Sequence, residues 1–141
     1  MLTTDRISTV HNRPIMLNPT KAYIFFEPDR EVIAQSEVAI AAVDGYPVSP
    51  GQALVQPRRH VATIWDLDLA EYSPAFLLEK SMQPMVAQRF APNGFNLKVN
   101  CDEAAGEPVW HGHIHFRRRY AGNTLSPRGG VRYVIPQRDN Y

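Results

Sequence analysis

One stretch constrains this chain more than any other: Val109-Trp110-His111-Gly112-His113-Ile114-His115-Phe116, followed at once by Arg117, Arg118 and Arg119. Three of the five histidines fall there at a spacing of two. In an extended strand successive side chains alternate faces. His111, His113 and His115 are therefore predicted to share one side. Trp110, Ile114 and Phe116 face the core, with Gly112 as the small member of that row. Three neutral imidazoles on one face can ligate a metal, or they can supply a nucleophile with proton-transfer partners. A lone strand histidine is usually a solvated or hydrogen-bonded polar residue, whereas three in register mark a site.

At 141 residues the chain has the length of one domain, long enough to bury a core without staples. The expected division is an irregular arm over residues 1–20, broken by Pro14 and Pro19, and a single domain over 21–141. No run approaches the ~20 apolar residues needed to span a bilayer, and Met1 to Arg6 lacks the apolar stretch of a signal peptide. Cys101 is the single cysteine, which excludes an internal disulfide and any cysteine-based zinc site. A cytoplasmic protein is expected, with neither a membrane nor a nucleic acid as partner. The net charge of +1 hides an uneven distribution: residues 117–141 sum to +5 and residues 1–116 to −4. A basic end of that kind meets phosphate groups or simply solvates a surface.

The rest of the chain supplies strands and one helix. Ala22 to Phe26 is a short apolar run, Glu31 to Ser36 and Val38 to Val43 read as paired strands, and Ala53 to Gln56 as the next. Asp44 to Gly51 holds two prolines and two glycines and is loop chemistry. Asp68-Leu69-Ala70-Glu71 has the spacing of a capping box. From there Leu69, Tyr72, Phe76, Met82, Met85, Val86 and Phe90 approximate a helical core stripe. Ser73-Pro74 offers a later start, and Pro84 is expected to kink the helix. Pro92-Asn93-Gly94 stops it, Phe95 to Asn100 alternates as a strand, and Val131 to Ile135 offers a last one after the turn at 127–130.

With these residues laid out, the chain resembles the histidine triad (HIT) superfamily. The triad is joined by Asp44-Gly45-Tyr46-Pro47-Val48-Ser49-Pro50-Gly51, Gln56-Pro57-Arg58-Arg59-His60-Val61, Gly94 to Asn100, Glu103 to Gly106, and Arg119-Tyr120-Ala121-Gly122-Asn123 with Pro127 to Arg132. The resemblance covers residues 24 to 141 and is similar to bacterial HIT hydrolases. It implies an α+β fold, an antiparallel sheet of about five strands with one main helix, paired as a homodimer. It implies no cofactor and no metal, and a purine nucleotide or nucleotide conjugate as the ligand. His113 would attack the α-phosphorus and carry a nucleotidyl intermediate, flanked by His111 and His115, with His60 closing the phosphate pocket. Asp44 would accept from ribose hydroxyls, Asn100 would contact phosphate or ribose, and Gly106, Glu107 and Pro108 would form the loop at the phosphate. Substrates implied are nucleoside phosphoramidates, acyl-adenylates and dinucleoside polyphosphates.

Three departures from the family pattern qualify this expectation. Ala22 to Phe26 stands where some members carry a zinc-binding Cys-x-x-Cys, so hydrophobic packing is expected in its place. Ile40 and Ala42 stand where larger side chains often approach the base. Gly106-Glu107-Pro108-Val109 replaces the usual Gly-Gln-Ser/Thr-Val, substituting a carboxylate for an amide and removing a hydroxyl and a backbone N–H. The alternative is accordingly a nucleotide-binding protein with weak or no turnover. If turnover survives, restoring Gln and Ser at positions 107 and 108 is expected to raise kcat/KM by at least ~10-fold.

Overall fold

The computed structural model describes residues 30–44, 47, 52–107, 111–129 and 135. The arm over 1–20, the run Ala22 to Phe26, Pro108, Trp110 and the strand expected from Val131 lie outside the described residues, Ile135 excepted. Five strands, β1 (Val32–Gln35), β2 (Ala39–Val43), β3 (Ala53–Pro57), β4 (Gly94–Val99) and β5 (Ile114–Arg119), form an antiparallel sheet in the order β1-β2-β3-β5-β4. One long helix, α1 (Leu69–Phe90), joins β3 to β4 and packs on β1, β2 and β3.

Register decides what each face carries. Ala34, Ala41, Val55 and Ile114 lie level across four strands, and Ala39, Ala53 and Phe116 share their side. Four alanines on three strands leave room for larger side chains from above, and Leu78, Met82 and Val86 of α1 fill it, with Ala75 buried beside them. The opposite face carries Ala42, Leu54, His115 and Lys98 in one row and Ile40 beside Gln56 in the next. This is the site face.

The sequence stripe needs correction within α1. Leu69 is 85% exposed and Met85 39%, whereas Ala75, Leu78 and Glu79 are buried. The alanine floor selects the inward arc, and a large apolar residue outside that arc stays in solvent. Asp68 caps the helix by accepting from the Glu71 N–H at 3.1 Å. The helix runs through Pro74 and Pro84. The carbonyls their rings leave without a donor belong to Ala70 and Lys80, both exposed, where water can replace the lost bond. Ala91 ends it in the left-handed region (φ 46°), its N–H on the Ala87 carbonyl.

The triad also begins differently from its sequence pattern. Only His115 lies within β5; His111, Gly112 and His113 precede the ladder. The Gly112 N–H instead donates to the Val61 carbonyl at 2.8 Å.

Candidate active site

His60 sits on the connection between β3 and the short 3-10 helix Ile64–Asp66, and two arginines hold that connection. Arg58 donates from Nε to the Ser36 carbonyl at 2.7 Å and from Nη2 to Gln35 Oε1 at 2.8 Å. Arg59 grips the Glu71 carboxylate as a fork, 2.6 to 3.0 Å, and holds that carboxyl below the usual carboxylate range. Thr63 caps the 3-10 turn, accepting from the Trp65 N–H, while Asp66 accepts from the Thr63 N–H. Against this rigid turn lies Gly112. A Cβ there would sit 2.8 Å from the Thr63 carbonyl carbon and 2.9 Å from the Ile64 nitrogen, so the backbones meet only because position 112 has no side chain.

That close approach brings His60 against His111. Their Nδ1 atoms lie 2.7 Å apart, and His111 Nε2 is 3.3 Å from the Pro57 carbonyl. A carbonyl only accepts, so His111 carries its proton on Nε2 and its Nδ1 accepts from His60. Burial, then the neighbouring His60 and His113, push the His111 pKa down to about 4, which keeps the ring neutral near pH 7.

His113 is buried, and its Nδ1 lies 2.8 Å from the carbonyl of His111. The same logic fixes its tautomer: Nδ1 holds the proton, and the lone pair belongs to Nε2. His115 meets it edge-on, ring centroids 4.8 Å apart. On its other side His115 Nδ1 accepts from Gln52 Nε2 at 3.4 Å, and the same amide donates to Asp44 Oδ2 at 2.8 Å. His115 thus presents Nε2–H as a donor. Its pKa is also pushed down to about 4, by burial first, then by His113 and Arg117, with Asp44 opposing. Gln52 was not singled out by sequence reasoning. Its signal is position: it immediately precedes β3 and is the buried polar residue beside two groups that must be oriented.

The remaining expected residues form a second cluster at the end of β4. Val99 pairs with Ile114 in the last rung of the ladder, and Asn100 and His113 are the residues just beyond it on the two strands. Its amide donates to the Gly106 carbonyl at 3.2 Å, and Gly106 adopts φ 82°, a left-handed turn suited to glycine. Glu107 is buried and folds back: one carboxylate oxygen accepts from the Asp102 N–H at 3.0 Å. The structure therefore brings His60, the three triad histidines, Gln52 and Asp44 together. Asn100, Gly106 and Glu107 are bonded within their own loop. Among the described residues no group of three or more His, Cys, Asp or Glu is arranged to hold a metal ion, and no helix is long and apolar enough to cross a membrane.

This chemistry is an imidazole whose Nδ1 is turned to a carbonyl and whose lone pair is thereby placed on Nε2, beside an N–H donor whose tautomer is set by a carboxylate through an amide. The HIT domain model matches residues 26–121. The AP-4-A phosphorylase of Mycobacterium tuberculosis is 30% identical over 109 residues, covering 75% of this chain and 55% of that protein. The bis(5'-adenosyl)-triphosphatase of Dictyostelium discoideum is 32% identical over 85 residues, 60% of this chain and 57% of that protein. A HIT family protein from Bacillus anthracis superposes with a TM-score of 0.63 at 28% identity, over 76% of this chain and 79% of that one. The chain spans about three-fifths of the length of the curated relatives it matches.

Proposed function

The chain belongs to the HIT family, and from that premise we propose that it is a nucleotide hydrolase or nucleotidyl transferase acting at an α-phosphate. Its substrates are drawn from nucleoside phosphoramidates, acyl-adenylates and dinucleoside polyphosphates. The observation that carries this reading is the bond from His113 Nδ1–H to the His111 carbonyl, which puts the lone pair on Nε2. In the first step Nε2 forms a bond to phosphorus while the bond from phosphorus to the leaving group breaks. The His115 Nε2–H donates to the leaving group or a phosphoryl oxygen as negative charge develops there. Water then attacks the nucleotidyl-imidazole, returning His113 and releasing the mononucleotide. Asp44 orients His115 through Gln52 and accepts from ribose, and Asn100 with Gly106 shapes the phosphate loop. Names of relatives that act on diadenosine polyphosphates support this substrate class.

Assembly as a homodimer in the cytoplasm belongs to the same reading. The exposed Leu97 on edge strand β4 and the exposed Leu77 and Met85 of α1 are surfaces such a dimer would cover. Light scattering should give twice the 16.0 kDa chain mass. A second reading, nucleotide binding without turnover, draws on the buried Glu107 carboxylate beside the phosphate loop. Acid quench of wild-type protein during turnover, with peptide mass mapping, should place a nucleotidyl adduct on His113. Turnover with no adduct there would overturn the covalent route, and tight nucleotide binding without turnover would favour the second reading.

A further inference from the structure

Beyond the triad the site face continues along β4 and β5, away from Asp44. Register places Lys98 beside His115, Asn96 beside Arg117 and Gly94 beside Arg119, so these residues share the face of His115. Lys98 and Arg117 are close enough to His115 to disfavour its protonation. Arg117 is half-buried, and its Nε, screened from solvent, has no hydrogen-bond partner among the described residues. Arg119 is fixed by Asn96 Oδ1 at 2.6 Å and Asn123 Oδ1 at 3.3 Å. The row ends in an open cleft of about 360 Å³ lined by Asn93, Asn96, Arg119, Ala121, Asn123 and Thr124 among others.

Resting on the proposed function, we infer that this row is a polyphosphate track, Arg117 and Lys98 holding the bridging phosphates and the terminal cleft receiving the far nucleoside of a dinucleoside polyphosphate. Direction argues for it. The near nucleoside lies toward Asp44, so a leaving group departing from His113 extends across β5 toward β4. Length agrees as well. His115 and Arg119 are separated by roughly 13 Å at the rise of a strand, a span that a bridged polyphosphate covers and a mononucleotide does not. The cleft has the volume of a small-ligand site, and the Nδ2–H groups of its asparagines suit a heterocycle's acceptors. A phosphoramidate with a small leaving group would leave the track unused.

The test compares kcat/KM for diadenosine tetraphosphate, adenosine 5'-tetraphosphate and AMP-morpholidate on wild type, Arg117→Ala, Lys98→Ala and Ala121→Trp, with thermal melts to check folding. Arg117→Ala and Lys98→Ala should each lower both tetraphosphates about 10-fold more than the morpholidate, the worth of one charge-assisted contact. Ala121→Trp, which fills the cleft, should lower diadenosine tetraphosphate to the level of adenosine 5'-tetraphosphate and leave the latter's ratio to the morpholidate unaltered. Equal loss on all three substrates in Arg117→Ala, or an undiminished diadenosine tetraphosphate rate in Ala121→Trp, overturns the track. If wild type turns over none of the three, the proposed function falls on its own, and calorimetric titration reads the track separately. Arg117→Ala must then weaken diadenosine tetraphosphate about 10-fold relative to AMP; equal weakening, or no binding at all, overturns it.

Discussion

On its site face the sheet buries histidines in company; on its helix face it meets a carboxyl nearly alone. His111 has a carbonyl on one nitrogen and His60 on the other, and His115 has Gln52 and behind it Asp44. Under α1, Glu79 is 3% exposed and its Oε1 has no hydrogen-bond partner among the described residues. Both faces disfavour charge on these buried groups, but from opposite directions. Burial pushes the two histidines down to about 4 and pushes Glu79 up to about 7. The arginines divide between the faces: Arg118 lies inward with its guanidinium 3.5 Å over the Phe90 ring, while Arg117 and Arg119 face the site side. The histidines, each with ordered partners, are placed for chemistry, whereas the Glu79 carboxyl costs stability and does no visible work.

The largest test of that contrast removes the nucleophile. His113→Ala should lower turnover of any nucleotide substrate by at least ~10³-fold, because no neighbouring group carries a lone pair in the same place. Its melting temperature should change little beyond the loss of one imidazole, and nucleotide binding by calorimetry should persist. Undiminished turnover in protein free of contaminating enzyme would end the assignment of the site face as catalytic.

Next comes the close approach that assembles the histidines. Gly112→Ala forces a methyl into the Thr63–Ile64 backbone, where no flexible side chain can yield. A loss of roughly 2–3 kcal/mol in urea unfolding is expected, with a further fall in activity as His111 parts from His60. A stable variant with full activity would show that the two backbones separate freely.

The opposed pKa shifts make a third test. The histidines' folded pKa lies below 6.5, so the unfolded chain binds two more protons as pH falls from 6.5 toward 4, and their stabilising contribution is lost on that descent. Glu79 runs the other way. Its folded pKa lies above 4.5, so the folded chain binds one more proton between 4.5 and 7, and stability falls as pH rises through that window. From pH 6.5 down to 4.5 the two effects partly cancel, leaving a net loss of one proton's linkage, at most about 1.4 kcal/mol per pH unit. Glu79→Gln should double that slope and raise stability at pH 8 by roughly 1–3 kcal/mol. Urea midpoints at pH 5, 6, 7 and 8 measure both, and an unchanged slope would mean that Glu79 titrates normally.

Much of this was legible in the sequence, for identifiable reasons. The strands at 32–35, 39–43, 53–57 and 94–99 follow from alternation and turn residues, and the helix from Asp68 and its apolar content. The helix face was read wrongly at Leu69 and Met85 because the inward arc depends on which strands present alanine beneath it. The triad's alternation held for Ile114, His115 and Phe116. It did not extend a ladder back to His111, because Gly112 spends its N–H on Val61, a contact fixed only by tertiary structure. The basic end from residue 117 was read as meeting phosphate or solvating a surface, yet the pleat sends Arg118 to the core. Gln52 escaped notice because its meaning lies in two partners, eight and sixty-three residues away.

The smallest expected effect concerns Glu107. Read from the sequence, its charge stands at the phosphate and restoring glutamine there relieves repulsion. In the structure one of its carboxylate oxygens accepts from the Asp102 N–H, and its own N–H donates to the Asp102 carbonyl at 3.2 Å, closing the 102–107 loop. Asp102 sits at φ 69°, a conformation that a non-glycine residue keeps only when its surroundings hold it. The carboxylate is therefore part of what shapes the loop whose Gly106 carbonyl holds Asn100. A glutamine carbonyl can accept the same bond, so Glu107→Gln should change stability by under about 0.5 kcal/mol and kcat/KM by less than about 3-fold. Glu107→Ala removes the acceptor and strands the Asp102 N–H, costing about 1–2 kcal/mol and loosening the phosphate loop. If Glu107→Gln alone raises kcat/KM 10-fold or more, the charge acts on the phosphate through the loop rather than merely shaping it. Nearly all of the gain expected from restoring both family residues would then belong to position 107, and little to Pro108.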